Sequence, residues 1–136
     1  IVPRIALLSY SNFGSSKGED AEKMAEATKI LHNNHPNLIV DGEIQANFAI
    51  NQELLGESYP FSMLYKRRIN TLIFPNLAAG NISYKLLMEM GGLEAQGPVL
   101  LGMKKSVHIL QQGSTAKEIV DMVRLAVVDA QNKSKS

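Results

Sequence analysis

The α/β character of this chain is set by the stretch Arg4-Ile-Ala-Leu-Leu-Ser-Tyr10 and by Ser11-Asn-Phe-Gly-Ser-Ser-Lys-Gly18, which follows it directly. A short apolar run that ends in polar residues is typical of a buried parallel strand, and the small polar residues after it indicate a loop. Glu19 and Asp20 then precede apolar residues at helical spacing, which predicts a helix over Ala21–Asn33. Strand, loop and helix in this order form the first half of a β–α–β unit.

The rest of the chain continues the same alternation. It predicts an α/β fold, a three-layer, mostly parallel sheet with helices on both faces. Ligands of such sheets bind at the carboxyl ends of the strands, where the polar stretches of this chain fall. The further predicted strands are Leu38–Val40, Thr71–Phe74, Gly97–Gly102 and Val107–Leu110, and the further predicted helices are Asn47–Leu55, Asn81–Met90 and Ala116–Gln131.

Composition excludes several classes of protein. The chain has 136 residues, 45% hydrophobic and 20% charged, which is ordinary for one globular domain. Its formal net charge of +1 argues against a nucleic-acid or membrane-surface partner. It has no cysteine, which excludes disulfides and thiolate sites and fits a cytoplasmic location. Because it begins at Ile1 without an initiator methionine, we expect a portion of a longer protein.

The first loop suggests an anion site. Ser9, Ser11 and Gly14 place hydroxyls and small residues at the exit of the first strand, as phosphate-binding loops do. The loop matches neither Walker A nor GxGxxG, and an ordinary turn between strand and helix uses the same residue types. At this level both interpretations stay open.

Two further polar stretches follow predicted strands. Asp41 and Glu43 would suit magnesium, but we favour a turn and a helix start, which use the same residues. Asn81 and Lys85 lie in the first turns of a helix predicted to begin near Asn81, where free amides and the helix dipole favour an anion. Tight packing of helix on sheet would explain the small residues of this stretch but not that polar pair.

The three histidines do not form a metal motif. His32 and His35 flank a predicted helix end, so we expect them to cap it or to face solvent. His108 lies inside a predicted strand without cysteine or clustered carboxylates nearby. No metal ligand is therefore expected in this chain.

Several motifs follow one another along the chain: Leu8–Ser11 with Gly14-Ser15, Asp41–Gln45, Phe74–Leu77 with Asn81–Leu86, Gly97-Pro98, Gly102 and Val107–Val120. In this order they resemble the phosphate acetyltransferase (phosphotransacetylase) family. Pro3–Ser15 and Ile73–Leu77 resemble, more narrowly, the C-terminal transacetylase-like domain of large bacterial malic enzymes. The resemblance implies a phosphotransacetylase / isocitrate dehydrogenase-like fold. It also implies that the chain is the C-terminal portion of such a domain, with residues 1–100 or so in one α/β subdomain and 101–136 as a return segment with a C-terminal helix.

The closing motif departs from that of active family members. They carry a serine–arginine pair before its glycine and an aspartate after it, whereas this chain has Gln111 and Gln112 before Gly113, and then Glu118. Gln112 has no charge to offset a phosphate, and Glu118 moves the carboxylate by one methylene. The resemblance thus implies no catalytic residue here but retained binding of acetyl-CoA. The expected effector-binding residues are Ser9, Ser11, Gly14, Asn81, Lys85, Lys105, Gln111, Gln112, Gly113 and Glu118.

The function implied is that of a regulatory acetyl-CoA-sensing domain of a malic enzyme. An N-terminal malic enzyme domain of the same chain would hold NADP and a divalent metal for decarboxylation of malate to pyruvate, and this portion would hold no cofactor. We expect a homo-oligomer, with the effector between the Asn81–Lys85 helix start and the Gly102–Gly113 segment. One alternative is an active phosphate acetyltransferase, which moves acetyl between phosphate and coenzyme A. Another is a structural module that holds subunits together.

Overall fold

The computed structural model describes residues 1–133. The chain forms two compact units, Ile1–Leu86 and Leu87–Ser136. The division near residue 100 that the resemblance implies refers to a complete family domain and stays a prediction. None of the helices in the described range is long and apolar enough to cross a membrane.

A parallel sheet is the centre of the first unit. Strands β1 (Arg4–Leu8), β2 (Ile39–Ile44) and β3 (Thr71–Ile73) lie in the order β2-β1-β3, all parallel. Because β1 is central, Ala6, Leu7 and Leu8 are all buried, as the continuous apolar run predicts. The predicted α/β class with a parallel sheet is confirmed.

Helices cover both faces of this sheet. Helix α1 (Glu19–Asn34) lies on one face, and α2 (Ala46–Ile50) with α3 (Gln52–Ser58) lies on the other. Successive side chains of β1 alternate between the faces, so one strand serves two hydrophobic clusters. One cluster consists of Leu7, Met24 and Val40, and the other of Ala6, Leu8, Ile44, Ala49, Leu55 and Leu64.

Two local expectations for this unit are wrong. The single helix predicted over Asn47–Leu55 is broken at Asn51, whose side chain accepts hydrogen bonds from the N–H groups of Glu53 and Leu54 at 3.1 Å and so begins a second helix. His32 does not cap α1, and it is half-buried instead of facing solvent fully. Its Nε2 donates to the Val40 carbonyl at 2.7 Å and joins α1 to β2. His35, as expected, is the C-cap of α1.

The remaining helices are α4 (Leu77–Gly91) and α5 (Ala116–Lys133). The strands predicted over Gly97–Gly102 and Val107–Leu110 are wrong, because both segments are irregular in the structure. A strand exists only beside a partner whose N–H and C=O groups it can bond, and neither segment has one within residues 1–133. Their apolar side chains stay partly or largely exposed, with Leu101 at 84%.

Candidate functional site

The loop from Ser9 to Ser16 lies at the carboxyl end of β1 and is tightly bonded internally. Every backbone N–H from residue 11 to residue 16 donates to an acceptor in the loop or in β2. Residues 11–16 therefore leave no free backbone amide for the anion that the sequence suggested. The loop presents hydroxyls instead: Ser15 is exposed and Ser9 is half-buried at the strand exit.

Glu43 is the residue around which this loop folds. Leu7 pairs with Gly42 and Leu8 pairs with Ile44, so Glu43 is the extra residue of a bulge in β2. Its side chain is buried, with 3% of its surface exposed. The Oε1 atom accepts hydrogen bonds from Ser11 Oγ at 2.7 Å and from Gly14 N at 2.6 Å. The expectation that Glu43 belongs to a turn or helix start is wrong.

A second connection ties the same loop to the end of β2. Asn12 is buried, and its Oδ1 accepts from the N–H of Gln45 at 2.7 Å. The Gln45 Nε2 donates back to the Tyr10 carbonyl at 2.7 Å. The loop is thus held from both sides by residues more than thirty positions away in sequence.

Asp41, the other carboxylate of the β2 stretch, does not share a ligand site with Glu43. Its Oδ2 accepts from Ser62 Oγ and from the N–H of Met63, both at 2.8 Å. Asp41 therefore stabilises the turn that follows α3, while Glu43 stabilises the loop after β1. Over residues 1–133 no three histidine, aspartate or glutamate side chains come close enough to hold a metal ion.

Helix α4 begins four residues earlier than the sequence predicted. The Asn76 Oδ1 accepts from the N–H of Ala79 at 2.9 Å, so Asn76 caps a helix that starts at Leu77 instead of Asn81. The Asn76 amide also donates to Asp20 Oδ2 at 2.8 Å. Lys23, and after it Asn76, lower the pKa of Asp20 by hydrogen bonds to its carboxylate.

Asn81 and Lys85 consequently lie inside α4, where their backbone amides belong to the helix. Both side chains are available to a ligand, since Asn81 and Lys85 are exposed. The Lys85 ammonium lies 5.5 Å from the ring centroid of Tyr84. No ion pair of Lys85 with Glu89 forms in the described structure.

In the second unit, Gln111, Gln112 and Gly113 form a tight turn just before α5. The N–H and the hydroxyl of Ser114 both donate to the Gln111 carbonyl, at 3.1 and 2.9 Å. Gly113 has a φ of +93°, a backbone conformation that side-chain-bearing residues rarely adopt. The side chains of Gln111 and Gln112 are exposed, and neither makes a hydrogen bond of its own within the described chain.

Glu118 is bound to the start of α5. Its Oε2 accepts from the Thr115 N–H at 2.6 Å and from Thr115 Oγ1 at 3.0 Å, while the Glu118 N–H donates to Thr115 Oγ1 at 3.3 Å. This is a capping box, and the Thr115-x-x-Glu118 spacing that announces it was missed in the sequence. The hydrogen bond from the Thr115 backbone, and then that from its hydroxyl, lower the pKa of Glu118.

A second polar cluster in this unit has no counterpart among the sequence predictions. His108 Nε2 lies 3.1 Å from Ser106 Oγ and 3.8 Å from Asp129 Oδ2, and the His108 side chain is only 5% exposed. Ser106 Oγ also donates to the Ala126 carbonyl at 3.0 Å. Lys133 donates to Asp129 at 2.8 Å and lowers the pKa of that carboxyl. Nonlocal packing buries His108, and no local pattern signals it.

The expected effector residues therefore fall into two groups. In the first unit, Ser9, Ser11 and Gly14 share one loop, while Asn81 and Lys85 share one face of α4. In the second unit, an exposed Lys105 precedes the turn and cap at the start of α5. Binding by these residues, including the crevice between α4 and the Gly102–Gly113 segment, stays a prediction.

Comparisons with known proteins agree with this architecture. A family model described as phosphate acetyl/butaryl transferase matches residues 1–127. An NADP-dependent malic enzyme of Haemophilus influenzae is 43% identical over 133 residues, which is 98% of this chain and 18% of that protein. A phosphate acetyltransferase of Acetivibrio thermocellus is 40% identical over 129 residues, which is 95% of this chain and 39% of that protein.

A solved structure gives the same result in three dimensions. A phosphotransacetylase from Streptococcus pyogenes superposes with a TM-score of 0.86 at 38% identity, over 100% of this chain and 40% of that one. The chain thus spans less than half the length of each of these relatives. Malic enzymes and phosphate acetyltransferases match at similar identity, so the choice between them depends on the residues of the site.

Proposed function

Since the chain belongs to the phosphate acetyl/butaryl transferase family, we propose that it is the acetyl-CoA-sensing portion of a malic enzyme and has no transferase activity of its own. In this proposal a malic enzyme domain of the same polypeptide oxidises and decarboxylates malate with NADP. The match to NADP-dependent malic enzymes over 18% of their length supports the assignment.

The observation that carries the proposal is the state of Glu118. Acetyl transfer to coenzyme A needs a base that takes the thiol proton, and a base works best when its pKa is near the working pH. The carboxylate of Glu118 is instead held by two hydrogen bonds from Thr115, which lower its pKa. A carboxylate so stabilised as an anion is a weak base, and it serves the helix cap.

The turn before α5 gives the second support. When acetyl moves between phosphate and coenzyme A, the acetyl phosphate carries negative charges on its phosphate, which active sites offset with arginine or lysine. Gln111 and Gln112 are uncharged, and the nearby Ser114 hydroxyl donates to the Gln111 carbonyl. The turn still presents polar amide groups that suit a neutral acetyl thioester.

Regulation then follows from linkage. An effector changes the rate of a distant reaction only when it binds one state of the whole enzyme more tightly than another. Acetyl-CoA is chemically a downstream form of the two-carbon unit that pyruvate yields after decarboxylation. We therefore expect acetyl-CoA to inhibit malate oxidation.

The test uses the complete malic enzyme that carries this chain. NADPH formation from malate is measured while acetyl-CoA is titrated, with free coenzyme A and acetyl phosphate titrated separately as matched controls. We expect saturable inhibition by acetyl-CoA and weaker effects of both controls. Equal rates across the acetyl-CoA titration would overturn the proposal.

The alternative function, an active phosphate acetyltransferase, has the Acetivibrio thermocellus relative in its favour. It is distinguished by a thioester-formation assay on the same intact enzyme, with acetyl phosphate and coenzyme A as substrates. We expect no formation of acetyl-CoA above the uncatalysed rate. Robust turnover would establish the transferase and remove the degenerate-site interpretation.

A further inference from the structure

The bulge in β2 places the Glu43 carboxylate against the loop that carries the expected effector-binding residues Ser9, Ser11 and Gly14. We propose that Glu43 is the positioning residue of this effector loop, Ser9–Ser16, and sets the conformation in which the loop receives the acetyl end of acetyl-CoA. The inference rests on the proposed function. It adds a residue that has no place among the expected effector contacts.

The first argument is the way Glu43 is held. A buried carboxylate is costly unless its charge is met by donors, and Glu43 is 3% exposed. Both donors come from the loop: the Ser11 hydroxyl at 2.7 Å and the Gly14 N–H at 2.6 Å. Hydrogen bonds to a carboxylate are stronger than those between neutral groups, so Glu43 is a strong restraint on the loop.

The second argument is what the restraint leaves free. The Ser11 hydroxyl has one hydrogen, and its shortest contact is with Glu43 Oε1 at 2.7 Å, against 3.2 Å to the Ser16 carbonyl and 3.4 Å to Ser15 Oγ. Its oxygen accepts from Ser16 N at 3.0 Å. Ser9 Oγ and Ser15 Oγ accept from loop amides at 3.2 and 2.9 Å. Within residues 1–133, therefore, the Ser9 hydroxyl hydrogen has no acceptor, and the Ser9 oxygen is placed by the Ser11 N–H of the loop that Glu43 holds.

The third argument is that two neighbouring loop amides, those of Phe13 and Gly14, find their acceptors in Glu43 and not in the loop itself. Phe13 has a φ of +48°, which is uncommon for a residue with a large side chain. Its N–H donates to the Glu43 carbonyl at 2.8 Å, so backbone and side chain of the same residue fix both flanks of this position. Without Glu43 the loop would populate several conformations, and only a fraction of molecules would be ready to bind.

The test compares three variants in the complete malic enzyme. Glu43→Ala removes both acceptor contacts. Glu43→Gln keeps an oxygen for Ser11 and Gly14 but loses the charge. Ser62→Ala is the matched control, because Ser62 is equally buried and bonds the neighbouring Asp41 instead of the loop.

Two quantities are measured: the acetyl-CoA concentration at half-maximal inhibition and the rate of uninhibited malate oxidation. We expect Glu43→Ala to raise that concentration about tenfold, the scale of one lost charge-assisted hydrogen bond. The uninhibited rate should stay unchanged. Glu43→Gln should recover part of the loss. Ser62→Ala should leave the half-maximal concentration as in the wild type even where it lowers the melting temperature.

Each result has a distinct meaning. If the wild type does not respond to acetyl-CoA, the proposed function fails and this inference falls with it. If the wild type responds and both Glu43 variants respond identically to it, only the role of Glu43 is overturned. Should Glu43→Ala fail to fold, Glu43→Gln decides: a response like that of the wild type overturns the inference, and a weakened response beside an unchanged Ser62→Ala supports it.

Discussion

The main-chain N–H of Thr115 donates to Oε2 of Glu118 over 2.6 Å, and this contact fixes the first turn of α5. The Thr115 hydroxyl accepts from the Glu118 N–H in return, so two otherwise unpaired backbone donors are satisfied reciprocally. The residue that the resemblance places at a catalytic position thus has a structural task in this chain.

Acid should therefore loosen the start of α5. The pKa of Glu118 is lowered in the folded chain from its ordinary value of 4.5, so its contribution is complete above about pH 4.5 and is lost as the pH falls through the lower folded value. We expect amide hydrogen exchange in the first turn of α5 to accelerate in this window. Glu118→Gln should lack that acid-dependent component, whereas Glu57→Gln, at an exposed acid of α3, should keep it. Identical acid profiles in the wild type and Glu118→Gln would contradict the prediction.

Although Asn51 is exposed, we expect it to contribute to the stability of the fold. Its side chain caps α3 by accepting from two backbone N–H groups, so Asn51→Ala should lower the free energy of unfolding by about 1 kcal/mol. The measurement is a urea or thermal unfolding curve. Asn47→Ala, at an exposed helical position of α2, is the matched control and should have a much smaller effect. An equal loss of unfolding free energy in the two variants would show that the Asn51 cap contributes no more than an ordinary helical position.

Gly42 should not tolerate a side chain. A Cβ built there would lie 2.6 Å from the Leu7 carbonyl oxygen, and the residue has a φ of +150°. We expect Gly42→Ala to destabilise the chain by about 1–3 kcal/mol and to disturb the loop that Glu43 holds. Gly80→Ala is the control, because a Cβ there meets Phe74 at an ordinary 3.6 Å, and alanine favours a helix interior. A Gly42→Ala protein as stable as the wild type would contradict this account of the bulge.

Lys85 should contribute to effector binding. Coenzyme A carries several phosphate charges, and Lys85 is exposed on α4 without an acidic partner in the described structure. Lys85→Ala should raise the acetyl-CoA concentration for half-maximal inhibition about tenfold and leave uninhibited malate turnover intact. Added salt should mimic part of this loss by screening.

Lys29→Ala is the control for this substitution, since Lys29 is an exposed lysine of α1. Lys17→Ala, in the loop expected to face the acetyl end, should also have the smaller effect. Unchanged inhibition in both the Lys85→Ala and the Lys105→Ala enzymes would place the phosphate contacts elsewhere.

Gln112→Arg should change which ligand competes best. A guanidinium at this exposed position would meet phosphate oxygens in a bidentate contact that an amide cannot provide. We expect acetyl phosphate to compete with acetyl-CoA about tenfold better in the Gln112→Arg enzyme than in the wild type. Gln131→Arg, on α5, controls for the added charge. No gain for acetyl phosphate would show that residue 112 does not face the ligand.

The sequence by itself determined the elements that depend on local pattern. The apolar run of β1 is buried on both faces as predicted, and the helical spacing after Glu19 and after Ala116 predicts α1 and α5 to within three residues at either end. Such signals work because each residue contributes its own burial preference and backbone propensity. The Thr115-x-x-Glu118 cap is equally local, because its two residues are three positions apart, and that spacing alone is enough to assign Glu118 to a helix start.

Only the tertiary structure decided the parts that need a distant partner. The Ser11 hydroxyl and the Glu43 carboxylate are 32 positions apart in sequence. They meet because β1 pairs with β2 and because the pairing has a bulge at Glu43. The segments Gly97–Gly102 and Val107–Leu110 have the composition of strands, yet within residues 1–133 they have no neighbour to bond and stay irregular. Burial and pairing are properties of what lies across the sheet, and the pattern of one segment cannot supply them.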